Sequence, residues 1–408
     1  MAIDVAKRFH DVLVQWPQGK TKAFKVANQR EEHLKLCAFL HAQDLPVTVA
    51  LEATADFHRP IAYALAESGF MVHLASSLAC ARVREALYNS WDKHDRKDAR
   101  VILYLLEQRM TQPFHDPLRA GYLDVQELAN TYHQIAQARS RCLHSLLNHY
   151  LALFFPEMEK FHETSRAEWF CRFLIRFPTP SAIMALDRQA FIEAAWDLVG
   201  RKVAKTRVLN ELYETAQHSI GLPISEDSLA VQTYRLQIKR YLDLTEQRRQ
   251  LEQWSEQRLG DHPDYRRLRT LPGVGPIVAL TILAESGDLR RFRHHRQYLH
   301  FCGFNLASVQ SGQSQGRYRL SKRGNARLRY VYWLAATVAI RQRENSFRSK
   351  YERYIRTDRG NADLRRKAYT AVAAKVARVA HALIKQGIDY RGYHEAAIPG
   401  DGTSFNRP

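Results

Sequence analysis

A chain of 408 residues, 45% hydrophobic and 25% charged, has the composition of an ordinary globular protein and is long enough for two or three domains. Lys and Arg number 61 against 42 Asp and Glu, and the net charge of +19 calls for a polyanionic partner, nucleic acid first. No window of about 18 apolar residues could span a membrane, and MAIDVAKRFHD lacks the apolar core of a signal peptide, so a cytoplasmic protein is expected. The five cysteines (Cys37, Cys80, Cys142, Cys171, Cys302) are scattered without a CxxC pair, which argues against disulfides or structural zinc.

Along the chain, AIDVA, HDVLVQW and AFKVA read as strands, followed by a helix near Glu31 to Ala42. VTVALEA, a helix near Pro60 to Ser68, and FMVHLA continue as strand, helix and strand. Three strands before the first helix, then alternation, predict an α/β domain with a mixed sheet over 1–120, an opening shared by the RNase H-like fold. Asp4 follows an apolar residue in the first strand, and Glu52 ends VTVALEA where a buried strand would prefer Val or Ile. A lone strand acid is usually solvent-facing; two on strands of one sheet carry more weight together.

KHDRKDAR follows, with Asp95 and Asp98 three residues apart on one face of a helix. Lys93, Arg96, Lys97 and Arg100 surround them, so a salt-bridged helix turn and a pair of metal ligands are both open. If Asp4, Glu52, Asp95 and Asp98 converge, their oxygens suit a hard divalent cation such as Mg²⁺, and two such ions stabilise the attacking and leaving oxygens of phosphoryl transfer.

From Ala79 the chain is mainly helical. Val125 to Tyr150 and Leu229 to Leu259 approach heptad spacing, with Leu229 and Leu236, then Leu244 and Leu251, each seven apart. Residues 121–260 are thus expected to be helical, either as an antiparallel coiled coil, within or between chains, or as ordinary core helices. Residues 261–391 become Arg-rich, and 392–408 are expected to form a disordered tail. RTLPGVGPIVALTILAE reads as a helix-hairpin-helix in which Gly273 and Gly275 form the turn and free amides can hold a phosphate; a plain turn between core helices is the alternative. Arg290, Arg291, Arg293 and Arg296 follow it. Between Ser311 and Tyr330 stand Arg317, Arg319, Lys322, Arg323, Arg327 and Arg329 with no acid, and with Asn325 among them. Each phosphate contact there adds salt-dependent affinity. Ser308, Ser311, Ser314 and Ser321 suit turns or phosphate contacts, although a serine among guanidinium groups can attack a phosphodiester.

Taken in order, AIDVAK, ALEATADFHRP, KHDRKDA, LPGVGP, RRFRHHRQYLHFCGF and QSG with SKRGNARLR resemble the transposases of the insertion-sequence one-hundred-ten family, relatives of the Piv invertases described as bridge-RNA-guided recombinases. The resemblance spans nearly the whole chain. It implies a RuvC-like, RNase H-like domain, a coiled coil, and a mainly α-helical C-terminal transposase domain with the helix-hairpin-helix and a serine nucleophile. By motif, the carboxylate set is Asp4, Glu52, Asp95 and Asp98, and the serine is Ser311, with Ser308 and Ser321 as competitors. The resemblance further implies Mg²⁺, a covalent 5′-phosphoserine, donor and target double-stranded DNA, a structured guide RNA, and a tetramer built from dimers. This chain has His94 where many relatives have Thr, and its middle region is long for the family. A metal-only nuclease of branched DNA and a non-enzymatic nucleic-acid-binding protein remain alternatives.

Overall fold

The computed structural model describes residues 1–89, 95–164, 168–200, 204–307, 310–311, 314–315, 319–342 and 345–391. The chain forms two compact units, Met1–Gly121 and Tyr122–Pro408.

The first unit is built on a six-stranded mixed sheet, ordered β3-β2-β1-β4-β5-β6. Its strands are β1 (Ala2–Asp4), β2 (Phe9–Gln15), β3 (Thr21–Ala27), β4 (Thr48–Glu52), β5 (Met71–Ala75) and β6 (Gln112–Pro113). β2 runs antiparallel to β1 and β3, whereas β1, β4 and β5 run parallel. Alternation in β2 buries His10, Val12 and Val14, and both faces of β4 are covered, which explains the unbroken run Val49, Ala50, Leu51. Helices α1 (Arg30–His41) and α2 (His58–Glu67) bury Leu36, Leu40, Ile61 and Leu65 against Ile3, Val49 and Leu51. On the opposite face, Ala2, Ala50 and Ala75 leave room for α4 (Asp95–Glu107) to lay Val101, Ile102 and Leu105 onto the sheet, with Cys80 of α3 (Ser77–Tyr88) joining them. β1 to β5, α1 and α2 fall where the alternating apolar runs predict them, whereas the two-residue β6 belongs to no run read from sequence.

The second unit is helical, with short two-stranded sheets. Its spine is α5 (Leu123–Ser145), continued by a π-turn at Leu146–Leu151, and the 31-residue α7 (Leu229–Leu259). These helices pair antiparallel within the chain: Arg258 meets Asp124, Tyr132 reaches Glu252, Arg139 contacts Tyr241 and Thr245, and the Cys142 thiol donates to the Gln237 carbonyl. The stripe differs from the heptads in the first half of α7. Leu229 and Leu236 are 78% and 63% exposed, whereas Val231, Tyr234 and Ile238 are buried. Spacing of three and four residues wins because α6 (Trp169–Arg176) and other short helices cover that end, so α7 faces a core rather than a two-helix seam.

The other end of the spine enters a second core with α8 (Pro263–Arg269), α9 (Pro276–Ser286), α10 (His295–Phe301), α11 (Ala326–Ala339), α12 (Ser346–Ile355) and α13 (Ala362–Gln386). Within it, the hydroxyls of Ser286, Tyr298 and Tyr332 form a buried chain at 3.0 and 2.6 Å. No helix among the described residues is long and apolar enough to cross a membrane. The expected tail at 392–408 lies outside the described residues.

Candidate carboxylate site and nucleic-acid-facing residues

Parallel pairing aligns Ala2 with Ala50 and Ile3 with Leu51, so the next step brings Asp4 level with Glu52 on neighbouring strand ends. Side chains two apart on a strand share a face, which places Asp4 and Glu52 on the side that carries Ala2 and Ala50, the side covered by α4. Asp98 comes from α4, one turn before Val101 and Ile102, and its side chain is fully buried. Sequence adjacency to Lys97 and Arg100 hides its principal partner: Arg84 of α3, whose Nε donates to Asp98 Oδ1 at 2.5 Å. Asp98 Oδ2 is buried without a hydrogen-bond partner. Cys80 links the two acids, since its thiol bonds to Glu52 and lies in the field of Asp98; burial, then Glu52, pushes that thiol up to about 12. Glu52 and Asp98 therefore both act on one buried thiol.

An unsatisfied carboxylate oxygen in a buried site costs free energy unless a proton or a cation meets it. The donor chemistry fits a hard divalent cation, with Asp4, Glu52 and Asp98 as the described oxygen donors. Among the described residues no three acid, His or Cys side chains stand close enough together to hold an ion. Asp95 shares the helix face of Asp98 by spacing, but its side chain, that of Arg96, and Lys93 lie outside the described residues. Lys97 lies over the Tyr88 ring at 5.4 Å, and Arg100 is exposed.

In the second unit, Leu271 to Gly275 turn between α8 and α9, which both the helix-hairpin-helix reading and a plain turn between core helices predict. Gly273 takes φ +81°, and a Cβ there would meet the Ala335 carbonyl oxygen of α11, so its lack of a side chain permits close packing against that helix. Gly275 begins α9 with open space beside it. Several basic residues turn out to have protein partners. Arg290 grips both oxygens of buried Asp264 at 2.6 and 2.8 Å. Burial would raise the Asp264 pKa, but Arg290 and then Arg267 outweigh it and hold the carboxyl below the usual range. Arg291 stacks on Phe292 and Phe301, 4.4 and 5.0 Å from the ring centroids. Asn325 caps α11 and donates to Glu285 at 2.6 Å, and Arg327 reaches the other oxygen of Glu285 at 2.9 Å. Arg293, Arg319, Lys322 and Arg323 are exposed.

Ser311 lies in the hairpin β8 (Gln310–Ser311) and β9 (Ser314–Gln315), beside β7 (Leu306–Ala307) paired with β10 (Arg319–Leu320). The Ser311 side chain, Ser308 and Arg317 lie outside the described residues. Ser321 is half-buried, its amide donating to the Asn305 carbonyl at 2.8 Å. Arg84 and Cys80 were not found from sequence, because neither belongs to a motif; only the i, i+4 spacing shows that they share a helix face.

Two family models match the chain. One, described as a transposase of the DEDD type named for IS110, covers residues 1–156; the other, described as transposase of the IS116/IS110/IS902 family, covers 265–352. A transposase for insertion sequence element IS1111A from Coxiella burnetii is 31% identical over 31% of this chain and 35% of its own length. A candidate mini-circle transposase for IS117 from Streptomyces coelicolor is 28% identical over 76% of this chain and 77% of its own. The match to the first relatives spans only about a third of their length, 35% and 36%. The first model implies the RNase H-like α/β fold for the unit that holds Asp4, Glu52 and Asp98. The two transposase family models thus match this chain in order, the DEDD type over residues 1–156 and the IS116/IS110/IS902 family over residues 265–352.

Proposed function

We propose that this protein is an insertion-sequence transposase that cuts and rejoins DNA, guided by a structured RNA, through a carboxylate site and a serine nucleophile. The observation that supports it most is the placement of Asp4 and Glu52 at neighbouring strand ends on the sheet face that α4 covers, with Asp98 Oδ2 of α4 buried and unsatisfied, inside a domain matched by a DEDD transposase model. Asp4, Glu52, Asp95 and Asp98 would hold Mg²⁺, which would supply charge to stabilise the phosphate oxygens in the transition state. Arg84 holds Asp98 in place from the side away from its free oxygen.

The Ser311 hydroxyl oxygen attacks the scissile phosphorus and forms an O–P bond while the 3′ oxygen leaves. The product is a 5′-phosphoserine, whose bond energy is kept for rejoining to another strand. Arg319, Lys322 and Arg323, exposed and near Ser311 in sequence, would meet the charge on the phosphate. Donor and target duplexes, the guide RNA and a tetramer built from dimers complete the reading. Base pairing then supplies sequence choice, and the protein needs chiefly to hold backbones, in keeping with a charge of +19.

Denaturing gels after incubation with DNA and Mg²⁺ test this. The wild type is expected to leave a protein–DNA adduct that Ser311→Ala abolishes, and Asp98→Asn is expected to lose cleavage with DNA binding retained. Cleavage without any adduct would favour a metal-only nuclease. Recombination that survives Asp4→Asn together with Asp98→Asn would leave the acids a structural role only.

A further inference from the structure

Within the second unit a cavity of about 290 Å³ opens between α5, α6 and α7, and no residue assigned to cleavage lines it. Part of its wall comes from the π-turn Leu146–Leu151 that continues α5. In an α-helix, residues five apart point in different directions, whereas the wider π-turn brings them to one side. Leu146, Leu147 and Leu151 accordingly all reach the cavity. Such turns are rare and recur at functional sites. Leu174 of α6 and Ile238 of α7 add to the hydrocarbon lining. Phe170, Tyr234 and Tyr241 also line it, so aromatic ring surface is available to an occupant.

One polar group of this lining is unmet. Tyr234 is fully buried, its ring stacked on Tyr150 at 5.2 Å, yet its hydroxyl has no hydrogen-bond partner. A buried hydroxyl left so costs stability, and natural interiors keep few of them. Water is a poor occupant, because it needs about two to four polar partners and would meet mainly hydrocarbon here. At the rim the charges are already engaged. Arg249 pairs with Glu168 and, at 2.6 Å, with Glu246, while Arg139 donates to Tyr241 at 2.5 Å and to Thr245 at 2.9 Å. A charged ligand would have to displace one of these contacts; a neutral one would not.

We propose that this cavity binds a neutral aromatic molecule carrying one hydroxyl or N–H group, which exchanges a hydrogen bond with Tyr234. An apolar cavity of about 150 Å³ takes one benzene ring, so nearly twice that volume accommodates about two fused rings. A bound ligand stabilises the helical spine by mass action, since the unfolded chain has no cavity to offer it. The site is independent of the carboxylates and of the Ser311 loop, and it stands whether or not that serine is the nucleophile.

Binding of 2-naphthol to the 408-residue chain is followed by isothermal titration calorimetry and by the melting temperature, with naphthalene as the analogue that lacks the hydroxyl. Saturable binding at one site and a rise in melting temperature are expected for 2-naphthol. Tyr234→Phe removes the unsatisfied hydroxyl, so the free protein should melt at the same temperature or higher. Its affinity for 2-naphthol should fall about tenfold, and that for naphthalene should not change. Leu147→Trp fills the cavity and should abolish binding of both compounds; where that variant does not fold, Tyr234→Phe decides alone. Absence of saturable 2-naphthol binding overturns the proposal, as does an affinity that Tyr234→Phe leaves unchanged or lowers equally for both compounds.

Discussion

At the scale of single residues, hydrogen bonds decide what charge and motif leave open. Arg290 and Arg327 look like phosphate contacts in a linear reading, yet Asp264 and Glu285 engage them from 26 and 42 residues away. Gly273 acts by what it lacks: left-handed backbone costs an L-residue about 1–2 kcal/mol, and a Cβ would also strike the Ala335 carbonyl. Gly273→Ala should therefore lower stability by about 2 kcal/mol or more in a denaturant melt. Three histidines of the first unit, His10, His33 and His58, are kept neutral chiefly by burial, which lowers each from its ordinary 6.5; His10 and His33 stack at 5.7 Å. Above 6.5 both folded and unfolded forms are neutral, and stability is full. As pH falls through the lowered folded values, only the unfolded chain has already gained its protons, so stability is lost. The melting temperature should drop on acidification below 6.5, and His33→Leu should make that drop smaller.

At the scale of elements, local alternation was a sound guide where strands are short and their faces well defined. Every strand of the first sheet up to β5 overlaps a run read from sequence, β2 and β3 starting one and two residues earlier, and Asp4 and Glu52 end theirs. Helix faces were harder, because a long polar helix offers several stripes and packing chooses among them. In α7, Ile238 is buried and Leu236 is exposed, although Leu236 fits the heptad. Ile238→Ala should cost about 2–5 kcal/mol. Leu236→Ala should change stability by no more than about 0.5 kcal/mol. Equal losses on chemical denaturation would restore the heptad stripe.

For the whole molecule, the charge of +19 has physical content only when its pairing is known. Ion pairs engage part of the Arg-rich segment, Arg290 and Arg327 among them, while Arg293, Arg319, Lys322 and Arg323 stay exposed. Nucleic-acid affinity should fall linearly in log salt, about 0.9 per phosphate neutralised on duplex DNA, so the wild-type slope counts the contacts that the protein makes. Arg293→Ala and Arg323→Ala, both exposed, should each reduce that slope by about 1, and Arg290→Ala should lower melting temperature more than slope.

The amino-acid order alone determined the mixed-sheet opening, the paired carboxylate positions, the glycine turn and the basic balance. Each of these depends on local propensity, on a period of two or on simple counting, all of which are present before the chain folds. Tertiary structure alone decided that Arg84 and Cys80 join the acids, which side of α7 is buried, and which arginines remain available for a ligand. Those outcomes depend on partners tens to hundreds of residues away, and burial strengthens such contacts in a way that no local window contains.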